Sequence, residues 1–102
     1  MQKLAKGVEV EVQAANPVGS TKRDVHGWLT AQGFYGVESR PVEQIDYIMM
    51  DRVAALEGAT EYISAFKPLV GGEPRDTVHT YFVFGPDGKL IRVYVIGGFI
   101  FL

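Results

Sequence analysis

The sequence of 102 residues contains no cysteine. This absence excludes disulfide bonds, thiolate metal sites and a cysteine nucleophile. The sequence also lacks an apolar run close to the ~20 residues that a membrane-spanning helix needs. The uncharged stretch VYVIGGFIFL, from Val93 to Leu102, is much shorter and is interrupted by Gly97-Gly98. We therefore expect that the chain does not insert into a membrane.

Neither sign of charge dominates. The chain has 10 Lys and Arg residues against 12 Asp and Glu residues, which gives a formal net charge of −2. The basic residues are scattered, and Lys22-Arg23 is their only adjacent pair. Because no basic field is available to attract phosphates, we expect no nucleic-acid partner.

Histidine is scarce, with His26 and His79 the only two. A metal site needs three or four ligands in suitable geometry. No cluster of His, Asp and Glu at ligand spacing occurs, so we expect no metal and no cofactor. His26 is interpreted as a solvated helix residue and His79 as a half-buried strand residue. Neither suggests a catalytic group, and we expect no enzymatic activity.

The first residues, MQKLAKGVEVEVQ, include no apolar core of a signal peptide. This pattern leaves the compartment unknown. We expect a cytoplasmic protein by default, or an exported one if a signal segment was removed.

Val8, Val10 and Val12 alternate with Glu9 and Glu11. Strict alternation predicts a half-buried strand with one wet face, and its charged face would suit an edge strand.

A helix is predicted after Gly19-Ser20. Either Thr21 or Ser20 can cap it, and Asp24 stands at the capping-box spacing from Thr21. An apolar stripe follows, and Gly33 is a natural stop. The only tryptophan lies in the middle of this stripe, and we expect it to be the main anchor of the helix on the sheet. The stripe consists of Val25, Trp28 and Leu29.

Residues 42–56 are ambiguous from their own pattern. A helical stripe fits Val42, Ile45, Met49, Val53 and Leu56. The preceding Ser39-Arg40-Pro41 would serve as the helix start. The segment is also rich in residues that favour strands, and a continuous apolar run is compatible with a buried strand.

The segments TVHTYFVF and KLIRVYVI, joined by GPDG, predict a C-terminal β-hairpin. Pro86 and Asp87 fit the centre of a type I turn, and Gly88 fits the left-handed position after it. This loop places Phe84 opposite Leu90 and, two residues further along each strand, Phe82 opposite Arg92.

The hairpin is apolar on both faces, although a sheet with one wet face alternates apolar and polar residues. One face can pack on the predicted helix. The other needs the 93–102 tail, the 54–70 segment or a second subunit as cover.

The patterns together predict a single α+β domain over residues 1–102. Its antiparallel sheet has three to four strands, with at least one helix packed on one face.

The segments PVGSTKRDVHGWLTAQGF and YFVFGPDGKLIRVYV resemble small bacterial proteins of uncharacterised function, which are often exported. These share a Gly-Ser/Thr helix start, a Trp-Leu helix and a terminal F-x-F-x-x-x-G-x-L hairpin, here Phe82, Phe84, Gly88 and Leu90. The outline is similar to the SmpA/BamE-like fold, in which helices pack on one face of a three-stranded antiparallel sheet.

The resemblance covers roughly half of the chain, and its motifs are structural, so it transfers no functional residue. It implies a strand over residues 45–53 and a role in binding other proteins, as in outer-membrane assembly or β-lactamase inhibition. The chain departs from the outline in lacking a lipoprotein cysteine, in its N-terminal strand candidate and in its long 54–77 segment.

The sequence therefore predicts a non-enzymatic domain that acts through protein contacts, as a homodimer or with another protein. The candidate interface consists of Tyr94, Ile96, Phe99, Ile100, Phe101 and Leu102. The alternative function is small-molecule binding in an apolar pocket between helix and sheet, lined by Trp28, Tyr47, Met49 and Phe82.

Overall fold

The computed structural model describes the backbone of residues 2–45, 47–54, 56–68 and 76–99, and the side-chain surroundings of residues 7–45, 49–54, 56–68 and 77–96. It contains three α-helices, one short 3₁₀-helix and four strands within these ranges. They are α1 (Gln2–Ala15), α2 (Lys22–Ala31), β1 (Tyr35–Pro41), a 3₁₀-helix (Val42–Gln44), α3 (Tyr47–Ala54), β2 (Glu61–Pro68), β3 (Asp76–Phe84) and β4 (Leu90–Phe99).

The strands form one antiparallel sheet in the order β1-β2-β3-β4. Each strand pairs with the next in sequence, and β3–β4 is the predicted hairpin. The α+β class and the four-stranded antiparallel sheet are confirmed.

The strand expected around Val8–Val12 is wrong, because these residues belong to α1. Val8 and Val12 are four residues apart, so they also share one face of a helix. Val12 is completely buried, whereas Val10 is 59% exposed. Valine has a weak helix propensity, but packing of α1 against β4 outweighs this local preference.

The cap of α2 is as predicted. The Thr21 hydroxyl accepts a hydrogen bond from the Asp24 backbone N–H at 3.1 Å. The rival Ser20 donates its hydroxyl to the Pro17 carbonyl instead, at 2.7 Å. Gly33 directly follows the C-cap residue Gln32.

The residues before α2 are tied to the start of β4. The Leu90 N–H donates to the Ser20 carbonyl at 2.7 Å, and the Gly19 N–H donates to the Leu90 carbonyl at 2.9 Å. Thr21 and Lys89 form an isolated antiparallel bridge beside these bonds. The helix cap is therefore attached to the hairpin turn.

Trp28 is not the main anchor of α2. Val25 and Leu29 are completely buried, whereas Trp28 is only partly buried. Its ring lies against Phe34, with centroids 5.5 Å apart. The prediction that Trp28 is the main anchor is wrong, because α2 is rotated so that Leu29 points into the core.

The hairpin turn forms as predicted, with Gly88 at φ 75° and its N–H bonded to the Gly85 carbonyl at 3.0 Å. Phe84 lies opposite Leu90, but an irregularity in β4 places one extra residue before Arg92. Phe82 therefore faces Val93 rather than Arg92. This bulge moves the Arg92 side chain to the other face of the sheet, where it is exposed.

One face of the sheet, called here the α1/α2 face, carries the larger core. Helices α1 and α2 cover it, and residues of all four strands or their flanks contribute. The buried members are Val12, Val25, Leu29, Phe34, Ile63, Ala65, Phe82, Phe84 and Leu90.

The opposite face, called here the α3 face, carries a second core beneath the 3₁₀-helix and α3. Its buried members are Ile45, Met49, Val53, Tyr62, Tyr81 and Val83. The strand expected over residues 45–53 is therefore wrong. The helical alternative is correct for α3, where Met49 and Val53 are four residues apart and share the buried face. Helix α3 covers the second apolar face of the hairpin from within the same chain.

We expect Thr21→Ala to lower the free energy of unfolding by about 1 kcal/mol, because the Asp24 N–H loses its acceptor. Urea denaturation followed by circular dichroism measures this change. Thr21→Ser keeps the hydroxyl and should be close to the parent protein. Equal losses in both variants would contradict the role of the hydroxyl.

Leu29→Ala should lower the free energy of unfolding by about 2–5 kcal/mol, because it opens a cavity in the larger core. His26→Ala lies on the same helix at an exposed position and should change stability by less than about 0.5 kcal/mol. The same urea titrations compare the two variants. A similar effect of both would show that α2 does not pack through Leu29.

Candidate binding groove

A groove of about 360 Å³ opens on the α3 face, beside the part of the sheet that packs under α3. Three strands and the 3₁₀-helix contribute side chains to it, and no described residue of α3 does. Its lining combines aromatic, charged and neutral polar groups. The lining residues are Gly36, Glu38, Arg40, Gln44, Tyr62, Ser64, Phe66, His79 and Tyr81.

The register of the sheet brings these residues together. Glu38 lies opposite Ser64 on the β1–β2 pair. Ser64 in turn lies opposite Tyr81, and Phe66 lies opposite His79, on the β2–β3 pair. Because side chains alternate along strands, all of these cross-strand partners share the α3 face.

Gly36 shapes one wall of the groove. Its φ is 62°, a conformation that L side chains rarely adopt, and a Cβ placed there would lie 3.0 Å from the Phe66 ring. The β1–β2 register also shifts between Tyr35 and Glu38. Glycine at this irregularity lets Phe66 approach the backbone of β1.

A row of rings runs across the groove floor. The His79 ring lies between Phe66 and Tyr81, with centroids 4.1 Å from each. Tyr35 stacks on Phe66 at 5.7 Å, and Tyr62 lies 6.2 Å from Tyr81. The rings support one another, so the floor is fixed by packing rather than by a single side chain.

His79 is half-buried on β3, where the sequence placed it. The Tyr81 hydroxyl and His79 Nδ1 are 3.0 Å apart. Thr77 and Thr80 direct their hydroxyls to backbone carbonyls of β2, those of Lys67 and Ala65, at 3.0 Å each. Neither threonine is therefore poised as a nucleophile beside the imidazole.

The rim of the groove on β1 carries an ion pair. Arg40 contacts Glu38 Oε2 through Nε at 2.8 Å and through Nη2 at 2.6 Å. About half of each side chain is exposed, so the pair contributes no more than about 1 kcal/mol to stability. The opposite charges of Glu38 and Arg40 also offset each other on this part of the rim.

Three of the four residues predicted to line an apolar pocket have described side chains, and these three are divided between the two cores. Trp28 and Phe82 belong to the core of the α1/α2 face, whereas Met49 belongs to the core of the α3 face. Phe82 and Met49 are completely buried on opposite sides of the sheet. The side chain of Tyr47, in the first turn of α3, lies outside the described residues.

The predicted interface residues lie on or after β4. Tyr94 and Ile96 are partly buried against the second core, and the Tyr94 hydroxyl donates to the Arg52 carbonyl at 3.3 Å. The backbone of Phe99 pairs with Asp76, and its side chain lies outside the described residues. Ile100, Phe101 and Leu102 also lie outside them.

Sequence reasoning missed most of the groove. Strand β1 was not predicted, so Glu38 and Arg40 carried no expected position. The available signal was local: these two residues alternate with Val37 and Ser39 in a strand-like pattern. Their pairing with β2 depends on contacts between distant segments, which the local pattern does not encode.

Two further findings concern membranes and metals. Within the described ranges, no helix combines the length and apolar composition needed to cross a bilayer. The same residues include no group of three or more His, Cys, Asp or Glu side chains placed to share a metal ion.

Tyr81→Phe should lower the free energy of unfolding by about 1 kcal/mol, because a buried hydroxyl loses its hydrogen bond to His79. Tyr35→Phe removes a hydroxyl from an exposed ring whose contact to Thr77 is long, 3.5 Å. That control should change stability by less than about 0.5 kcal/mol. Urea denaturation tests both, and equal changes would contradict a structural role for the Tyr81–His79 bond.

Comparison with known protein families, with curated proteins and with solved structures found no match to this chain.

Proposed function

We propose that the chain is a non-enzymatic domain that acts through protein contacts and self-associates through the free edge of β4. The observation that carries this proposal is the composition of that edge. Among the described strands, β4 pairs only with β3. Its first residue, Leu90, is bonded to Gly19 and Ser20 on the other side, and residues 93–99 beyond it carry no charge. An edge of this kind is a ready template for pairing with another chain.

The two edges of the sheet differ in a way that supports this choice. Strand β1 carries Glu38, Arg40 and Pro41, together with a register shift near its start. Charges, proline and irregularities are the features by which proteins protect sheet edges from unwanted pairing. Beyond Arg92, the described part of β4 has no charged residue and no proline, so β4 is the better edge for association.

The alternation of backbone direction determines which groups of β4 point away from the sheet. The Phe84 carbonyl accepts from the Thr60 N–H, so the backbone groups of Phe84 point toward β2. Because this direction alternates along a strand, the groups of Thr80 also point toward β2. Val95 lies opposite Thr80, and its N–H and C=O therefore point away from β3.

A second copy of this chain fits the edge by symmetry. Antiparallel pairing of β4 with β4 is isologous, so one surface serves both partners. It would extend the sheet across both copies, and the partly buried Tyr94 and Ile96 would lie near the junction. Phe99, the last residue of β4, and Ile100, Phe101 and Leu102, which follow it in the sequence, remain part of the proposal.

The alternative function, small-molecule binding in an apolar pocket between helix and sheet, has less support. It required Phe82 and Met49 to face one cavity, and they lie in different cores.

Val95→Pro should abolish the dimer, because it removes an edge N–H that pairing with a second copy requires. Proline is tolerated at edge positions whose N–H does not face the sheet, so the monomer should remain folded. Sedimentation equilibrium measures the mass, and circular dichroism measures the fold.

Ser39→Pro is the matched control. Ser39 lies opposite Ile63 on the other edge, and the backbone groups of Ile63 point toward β3 by the same alternation. Ser39→Pro should leave the dimer intact. A parent protein that stays monomeric at high micromolar concentration, or loss of the dimer in both variants, would contradict association through β4.

A further inference from the structure

We propose that the groove on the α3 face binds an uncharged, polyhydroxylated ring, that is, a neutral sugar residue. The groove lies on the β1 side of the sheet, whereas the edge proposed for self-association is β4. The two proposals therefore use different parts of the molecule and fail independently.

The size of the groove suits a small ligand. Sites for small molecules span about 300–1,000 Å³, and this groove of about 360 Å³ lies at the lower end of the range. It is open on one side, so a ligand could protrude into solvent. One sugar ring, with attached units extending outward, fits this shape.

The polar lining offers both donors and acceptors. A hydroxyl group donates one hydrogen bond and accepts up to two, so a polyol needs both kinds of partner. Arg40 supplies donors and Glu38 supplies acceptors, while Ser64 and Gln44 supply both. Arg40 contacts Glu38 through Oε2, with both Nε and Nη2, and Oε1 is the oxygen that can accept from a ligand.

The aromatic floor matches the other character of a sugar. The C–H groups of a sugar ring form an apolar surface, which aromatic side chains can cover. Phe66, His79 and Tyr81 stack on one another, so their ring edges form the apolar floor of the groove, and this packing holds the edges in place before a ligand arrives. A preorganised floor reduces the entropy lost on binding.

The charges select against ionic ligands. Glu38 and Arg40 neutralise each other at the rim. Lys67 lies over the Phe34 ring, on the opposite face of the sheet, so its charge does not serve the groove. An anionic or cationic ligand would have to compete with one member of the Glu38–Arg40 pair, whereas a neutral polyol leaves both charges paired.

Backbone ¹H–¹⁵N NMR spectra test the ligand class. The probes are glucose, galactose, mannose and N-acetylglucosamine, with glucuronate and glucosamine as charged counterparts of glucose. At ~10 mM, a probe with a Kd near 1 mM would occupy most of the sites. We expect at least one neutral sugar to shift the amides of Gly36, Ser64 and His79, and the charged counterparts to bind more weakly.

Variants test the site itself. Arg40→Met and Ser64→Val each remove polar groups at similar side-chain size, and each should weaken binding of the responsive sugar by about tenfold or more. Arg23→Met, at an exposed position on α2, is the matched control and should bind like the parent protein. Its spectrum, and those of the groove variants, also report whether the fold is intact.

Three results would overturn the proposal. The first is the absence of shifts at the groove with every neutral sugar. The second is tighter binding of glucuronate or glucosamine than of glucose, which would make the site one for ions. The third is equal affinity in folded Arg40→Met, Ser64→Val and Arg23→Met, which would place the ligand elsewhere.

Discussion

The burial of β3 on both faces is the constraint on which the rest of the structure depends. Phe82 is completely buried on one side of this strand, and Tyr81 and Val83 are buried on the other. A strand with two apolar faces needs cover on each side. The chain supplies α1 and α2 for one face and the 3₁₀-helix with α3 for the other, so both faces are covered by helices of the same chain.

The groove follows from the same constraint. Helix α3 is short, with eight residues, and its described residues cover the sheet next to Met49 and Val53. Toward β1 the α3 face changes from Val83 and Tyr81 to Ser64, Glu38 and Arg40. Polar groups occur where the helix no longer provides an apolar neighbour. The residue types in the cross-strand pairs therefore determine where the core ends and the groove begins.

Local interactions were predictable from the sequence, and non-local ones were not. The Thr21 cap and the Pro86-Asp87-Gly88 turn involve neighbouring residues, whose chemistry is visible in a short segment. The identity of α1 was not visible, because Val8 and Val12 satisfy the strand period and the helix period alike, and packing on β4 decides between them. The bulge before Arg92 and the pairing of Glu38 with Ser64 likewise arise only when separate segments meet.

The attachment of the α2 cap to the hairpin turn has a consequence for the order of folding. The cap itself can form within a few residues, but the bonds that join Gly19 and Ser20 to Leu90 close a loop that contains most of the domain. Closing such a loop loses chain entropy before distant contacts can compensate. Isolated α2 would therefore fray at its first turn, and its full protection from hydrogen exchange would arrive together with the β3–β4 hairpin, in a single late and cooperative step.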